Sequence, residues 1–152
     1  MKKKIITTLC YIEKDNCYLM LYRNKKENDI CEGKWVGIGG KLEPGETPDQ
    51  GIIREVKEET GLNLTKVESR GIIHFVSDRW DDEDIYLYTA TGFEGDIDWN
   101  CREGELKWIP IDQVERLPLW EGDFHFLRKL VAGERNIEMT MEYEGHKLVR
   151  VE

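Results

Sequence analysis

The sequence predicts an α+β fold, an α/β/α sandwich in which a mixed β-sheet carries helices on its faces. Three observations predict it. Short β-rich runs open and close the chain, a helix with explicit start and stop signals follows Thr47, and a second apolar-periodic segment spans residues 122–131. The resulting order is strands, helix, strands, helix, strands, which folds as a sheet covered by helices. At 152 residues the chain fits one domain, 1–152, and is long enough to bury one core.

In chain order, residues 4–12 and 17–22 read as two strands flanking the polar turn segment Glu13-Lys14-Asp15-Asn16. Residues 23–34 are polar and form a loop. Trp35-Val36-Gly37-Ile38 then leads into Gly39-Gly40, where missing side chains let a backbone carbonyl approach a metal or phosphate, or simply make a turn. Thr47 and Gln50 form a capping box, Pro48 takes the first helical position, and Gly61 suits a left-handed C-cap with Leu62 folding back. Ile52, Ile53 and Val56 are expected to form the buried stripe of this helix.

Residues 64–67 and 71–76 read as strand, 77–84 as an acidic loop, and 85–91 as another strand. Trp108-Ile109-Pro110-Ile111 is a short strand, after which Asp112 is expected to cap a small helix running to Arg116. The helix at 122–131 carries Phe124, Phe126, Leu127, Leu130 and Val131. Residues 137–143 and 147–151 close the chain as a hairpin.

The net charge of −9 argues against broad binding to a nucleic-acid backbone, and no run is long enough to span a bilayer. Cys10, Cys17, Cys31 and Cys101 show no CxxC pairing, and Met1–Ile12 lacks the uninterrupted apolar core and cleavage site of a signal peptide. Reduced thiols and a cytoplasmic location are expected. His74, His125 and His146 have no metal-ligand spacing.

The chemistry concentrates in the first helix. Glu55, Glu58 and Glu59 stand at i, i+3 and i+4, so three anions share one turn. Like charges so placed repel by a few tenths of a kcal/mol per pair, and a hard oxygen-seeking cation such as Mg²⁺ would turn the repulsion into binding. A solvated face offset by Arg54 and Lys57 is the plainer reading of the same residues.

The spacing of the whole stretch decides between them. Gly40, five residues, Glu46, seven residues, Arg54-Glu55-Val56, one residue, Glu58-Glu59, one residue, Gly61-Leu62 matches the Nudix box at each defined position. The chain therefore resembles the Nudix (MutT-type) hydrolases. The resemblance implies the Nudix sandwich fold, Mg²⁺ (or Mn²⁺ in its place), and hydrolysis of a phosphoanhydride. It gives Gly40, Glu55, Glu58, Glu59 and a later acid, Glu103 in preference to Glu105, as metal ligands. Arg54, Glu55 and Glu58 are the implied catalytic residues, Arg54 by orienting Glu55, while Glu46 fixes the loop against the helix.

Beyond the box, the segments 33–41 and 119–123 are similar to those of the oxidised-purine nucleoside triphosphate diphosphatases of the family. That similarity implies a nucleotide partner, with no nucleic-acid polymer and no membrane, bound by a monomer or homodimer. Gly39, Lys41, Trp120 and Asp123 are the implied substrate contacts, Trp120 by stacking on an oxidised guanine and Asp123 by reading its edge. Read without the resemblance, Trp120 is core filler and Asp123 an early helix residue at the macrodipole. Val36 and Gly122 depart from the mammalian-type pattern, which has an Asn and a second Asp there. The implied activity is conversion of a nucleotide such as 8-oxo-dGTP to the monophosphate and pyrophosphate. The alternatives are a pyrophosphatase for a nucleotide sugar, a dinucleotide or a normal dNTP, and a catalytically weak nucleotide-binding module.

Overall fold

The computed structural model describes residues 3–25 and 30–152, so part of the predicted 23–34 loop and the first two residues lie outside the described residues. Its strands are β1 (Lys4–Lys14), β2 (Cys17–Tyr22), β3 (Trp35–Val36), β4 (Asn63–Ser77), β5 (Asp82–Glu94), β6 (Glu105–Pro110), β7 (Ile137–Glu144) and β8 (Lys147–Val151), with helices α1 (Pro48–Thr60) and α2 (Asp123–Val131). All the strands join one sheet in the order β3-β2-β1-β5-β4-β7-β8, with β6 on β2. The β1–β5 and β4–β7 pairs are parallel and the others antiparallel.

Alternation along the strands sends side chains to two faces, and each face receives one helix. Tyr11, Tyr18, Met20, Ile73, Phe75 and Leu87 pack with Phe126, Leu127 and Leu130 of α2. Cys10, Ile12, Leu19, Leu21, Tyr88 and Ala90 pack with Ile52 and Val56 of α1. This is the sandwich the sequence predicts.

Helix α1 starts as its capping box dictates: the Gln50 N–H donates to Thr47 Oγ1 at 3.2 Å and the Thr47 N–H to Gln50 Oε1 at 3.0 Å. It ends at Gly61, φ 83°, with Leu62 fully buried beneath it. The predicted stripe is wrong in one member. Ile53 lies about 100° round the helix from Ile52 and is 43% exposed, while Gly51 and Thr60 complete the buried side.

Three other expectations are corrected. Strand β4 runs unbroken through residues 68–70, because a bulge at Ser69/Gly71 absorbs the extra residue and turns Arg70 onto the carbonyls at the end of α2, Leu130 at 3.3 Å and Glu134 at 2.6 Å. The acidic loop is shorter than predicted, since Asp82, Glu83 and Asp84 begin β5 alongside β1. Partners absorb their charge: Lys4 reaches Asp84 at 3.0 Å, and the Thr7 hydroxyl donates to Glu83 Oε1 at 3.1 Å. Asp112 caps nothing, as residues Ile111–Arg116 form a 3₁₀ helix that follows Pro110 without a side-chain cap.

Candidate active site

Arg54 organises the carboxylates of α1. Its Nε and one terminal nitrogen donate to Glu46 Oε2 and Oε1 at 2.7 and 2.9 Å, a two-pronged grip that planar guanidinium and carboxylate groups favour. The other terminal nitrogen donates to Glu55 Oε1 at 3.0 Å and Glu58 Oε2 at 3.1 Å. A further bond at 3.1 Å to the Lys41 carbonyl ties the helix to the Gly-rich loop. The bond from Arg54 holds the Glu46 carboxyl down at about 2. Glu55, partly buried, is raised by burial against the opposing pull of Arg54.

The loop approaches α1 so closely because it runs antiparallel beside β1. Cys10 and Ile38 exchange backbone bonds at 2.7 and 2.9 Å, and the Thr8 N–H donates to the Gly40 carbonyl at 2.9 Å. A Cβ on Gly39 would lie 1.9 Å from the Thr8 carbonyl oxygen, and one on Gly40 would lie 2.8 Å from the Glu55 carboxylate. Gly39 therefore excludes a side chain on packing grounds, whereas one on Gly40 would push the Glu55 carboxylate aside. The Gly40 carbonyl is engaged by β1, accepting the Thr8 hydroxyl as well at 3.3 Å, while the Gly39 backbone is close enough to favour the ionised Glu59 carboxylate.

Among the described residues no three His, Cys, Asp or Glu side chains form a ready cation cage. Arg54 draws Glu55 and Glu58 to itself, and Mg²⁺ in any case takes only one or two carboxylates alongside water and phosphate oxygens. The donor set nevertheless fits a divalent cation. Glu59 Oε2 is buried with no hydrogen-bond partner. Burial first, then the charges of Glu55 and Glu103, raises the Glu59 carboxyl to about 8. Three carboxylates whose charges oppose one another around an orphaned oxygen make an arrangement that a cation relieves. Glu103 also pairs with Arg23 at 3.0 Å; Glu105 is exposed on β6.

A cavity of about 370 Å³ opens from this edge across the α2 face of the sheet. Gly39, Gly40, Lys41 and Arg23 line it near the carboxylates, and Trp120 and Asp123 line it under α2. Trp120 belongs to both descriptions the sequence left open. It is 6% exposed in the core, with Phe75 edge-on at 5.9 Å and Tyr143 edge-on at 4.9 Å, and its indole still borders the cavity. Burial raises the Asp123 carboxyl to about 7, against the opposing charge of Lys34. A Cβ at Gly122 would meet Tyr143 Oη at 2.6 Å and Met141 Sδ at 2.4 Å, so a larger residue there makes those side chains shift. Tyr143 Oη instead accepts the Gly122 N–H at 2.7 Å.

The sequence did not point to Thr7, Thr8, Phe75, Trp80, Glu83 or Tyr143 as lining residues. They converge through strand register, and no local spacing announces them.

Residues 3–130 match the family model of the NUDIX domain. The chain belongs to this family. NUDIX relatives include an uncharacterised Nudix hydrolase of Bacillus subtilis, 28% identical over 90% of this chain and 85% of its own length. An oxidised purine nucleoside triphosphate hydrolase of Danio rerio is 27% identical over 82% of this chain and 79% of its own. The crystal structure of a MutT protein from Bacillus halodurans superposes with a TM-score of 0.87 at 27% identity, covering 97% of this chain and 96% of that one. This NUDIX chain is a hydrolase acting on pyrophosphate bonds, in a family that uses divalent metal ions. No helix of the described residues is long and apolar enough to cross a membrane.

Proposed function

We propose that the protein hydrolyses an oxidised purine nucleoside triphosphate, 8-oxo-dGTP, to the monophosphate and pyrophosphate, with Mg²⁺ as its ion and Mn²⁺ as a substitute. In the cytoplasm this would clear damaged precursors before a polymerase uses them. One observation carries the reading: a single cavity borders both the Gly39-Gly40-Lys41 loop beside the α1 carboxylates and the Trp120–Asp123 pair. A nucleotide has the same two ends, one polyanionic and one flat with a polar edge.

Glu55, Glu59 and Glu103, with a backbone oxygen of the Gly39-Gly40 segment, would hold the cation. Bound there, the ion neutralises phosphate oxygens as the anhydride breaks. Water attacks one phosphorus, the bond to the neighbouring phosphate breaks, and a carboxylate takes the water's proton. Glu58 suits that last task, since its carboxylate is more than half exposed while Arg54 still fixes it at 3.1 Å. Arg54 thereby positions Glu55 and Glu58 together. At the other end the Trp120 indole stacks on the purine, and Asp123, its carboxyl raised by burial to about 7, can in its protonated form donate to the base edge through one oxygen and accept through the other.

The test is kcat/KM for 8-oxo-dGTP against dGTP in Mg²⁺ with products resolved, on the wild type and Glu55→Gln. A preference of at least about 100-fold, as expected where buried polar groups read the base edge, with pyrophosphate released and turnover lost in the variant, supports the proposal. Equal rates on the two nucleotides would overturn it and turn attention to nucleotide sugars and dinucleotides.

A further inference from the structure

Glu83 is an ionisable group of the cavity to which the mechanism above gives no task. Glu83, on β5, projects to the α2 face between Ile85 of its own strand and the Trp80-Asp81 turn, and it lines the cavity with them. Thr7 of β1, which pairs with Ile85 and lies diagonal to Glu83, donates its hydroxyl to Glu83 Oε1 at 3.1 Å. Lys41, from the Gly-rich loop, is close enough to stabilise its charge, and Asp81 opposes it.

A carboxylate within a substrate cavity is an unfavourable neighbour for a polyphosphate, and burial already weighs against its ionised form. The phosphates therefore belong along the wall of Gly39, Gly40 and Arg23. The base belongs against Trp120 and Asp123. What remains of a nucleotide is the sugar, and its hydroxyl is the one group that an acceptor-only carboxylate would seek. Trp80, edge-on to Trp120 at 5.6 Å, lines the same cavity as Glu83, Trp120 and Asp123.

We propose that Glu83, set by the Thr7 hydroxyl, is a specificity-determining residue that accepts a hydrogen bond from the sugar 3′-hydroxyl of the bound nucleotide. The inference rests on the nucleotide reading above and adds a third recognition point between the two already described. Thr7 is a positioning residue: occupying Oε1, it leaves Oε2 as the oxygen that takes the ligand.

The test compares kcat/KM for a 2′-deoxynucleoside triphosphate and its 2′,3′-dideoxy counterpart, the base held constant, in the wild type, Glu83→Ala and Glu83→Gln. A lost hydrogen bond to a charged acceptor corresponds to about 10- to 100-fold, so the wild type is expected to discriminate against the dideoxy form by that factor. In Glu83→Ala the gap should close to within about threefold, because the deoxy substrate falls to the rate of the dideoxy one. Glu83→Gln keeps the side chain's shape and its bond from Thr7, and is expected to lie between the two. A gap that persists unchanged in both variants, or no gap in the wild type, overturns the assignment. So does an equal fall on both sugars in Glu83→Ala, which marks a purely structural role. The base reading fails separately, through equal rates on 8-oxo-dGTP and dGTP, and leaves the sugar comparison to be made on whichever base is turned over.

Discussion

Replacing Gly39 by Ala separates what the loop does for the fold from what it does for the site. The new Cβ would stand 1.9 Å from the Thr8 carbonyl oxygen and 2.6 Å from its carbon, both backbone atoms that no rotamer change moves aside. Restoring an ordinary contact of about 3.5 Å parts the loop from β1 by about 1.5 Å. That displacement breaks or stretches the bonds on either side, Thr8 N–H to Gly40 at 2.9 Å and Cys10 N–H to Ile38 at 2.7 Å. Strain of about 1–3 kcal/mol and roughly 1 kcal/mol for a weakened bond together give a loss of about 2–4 kcal/mol. For a chain of this size the melting temperature should fall by about 5–15 °C. Gly40→Ala is the matched control, because its Cβ meets only the Glu55 carboxylate, at 2.8–2.9 Å. That carboxylate can swing away, but doing so leaves its bond from Arg54, so the cost should fall on catalysis, by about 100-fold for a displacement near 1 Å, with little change in melting temperature. Calorimetry without divalent metal and turnover of 8-oxo-dGTP read the two effects. A Gly39→Ala protein that melts within about 2 °C of the wild type, or a Gly40→Ala protein with undiminished kcat, refutes this account of why the loop is bare of side chains.

Two further outcomes are expected. Glu59→Gln should leave the metal-free protein at least as stable, since a neutral amide replaces a carboxyl whose Oε2 is buried without a partner. It should also abolish thermal stabilisation by Mg²⁺, which for the wild type amounts to about 2.7 kcal/mol at a hundredfold excess over Kd; equal Mg²⁺ shifts in both proteins would remove Glu59 from the ligand set. His74 bridges three strands, its Nδ1 2.7 Å from Asp84 of β5 and its Nε2 3.1 Å from Glu138 of β7, and these carboxylates raise its pKa above 6.5. A raised folded pKa stabilises fully below the unfolded value and loses that stabilisation as pH climbs through the folded one, so melting temperature should decline from pH 6.5 upward in the wild type and lose this component in His74→Gln. A decline of the same size in the variant would place the titration elsewhere.

How much of this was legible depended on how local each signal is. Helix α1 could be read almost completely because its start signals, Thr47, Pro48 and Gln50, lie within three residues of one another and its stop, Gly61, acts on the last turn alone. The same helix fixes Arg54, Glu55 and Glu58 on adjoining turns, so their grouping follows from spacing alone. Ile53 was misread because a stripe of three apolar residues does not say which of two adjacent positions faces the sheet. Asp82, Glu83 and Asp84 were misread as loop because charge ordinarily signals solvent, whereas here Lys4, Thr7 and His74 on neighbouring strands receive them. Those partners lie at sequence separations of up to 80 residues, and the pairings of β5 with β1 and with β4 bring them together.

The cavity belongs wholly to this second, non-local kind of information, and Gly122 shows how the two kinds meet. By sequence it is the position where a second aspartate is missing beside Asp123. In the structure its place is taken from across the sheet: Tyr143 Oη accepts the Gly122 N–H, and a Cβ would intrude on Tyr143 and Met141 of β7. Tyr143 also lines the cavity and lies close enough to Asp123 for that carboxylate to oppose its ionisation. The wall that would read the base edge is therefore built from one carboxyl on α2 and one phenol on β7. Restoring an aspartate at 122 would have to displace Tyr143, and with it the bond that seats the start of α2. The proposed base reading therefore rests on the α2–β7 contact as a whole and not on the 119–123 segment alone.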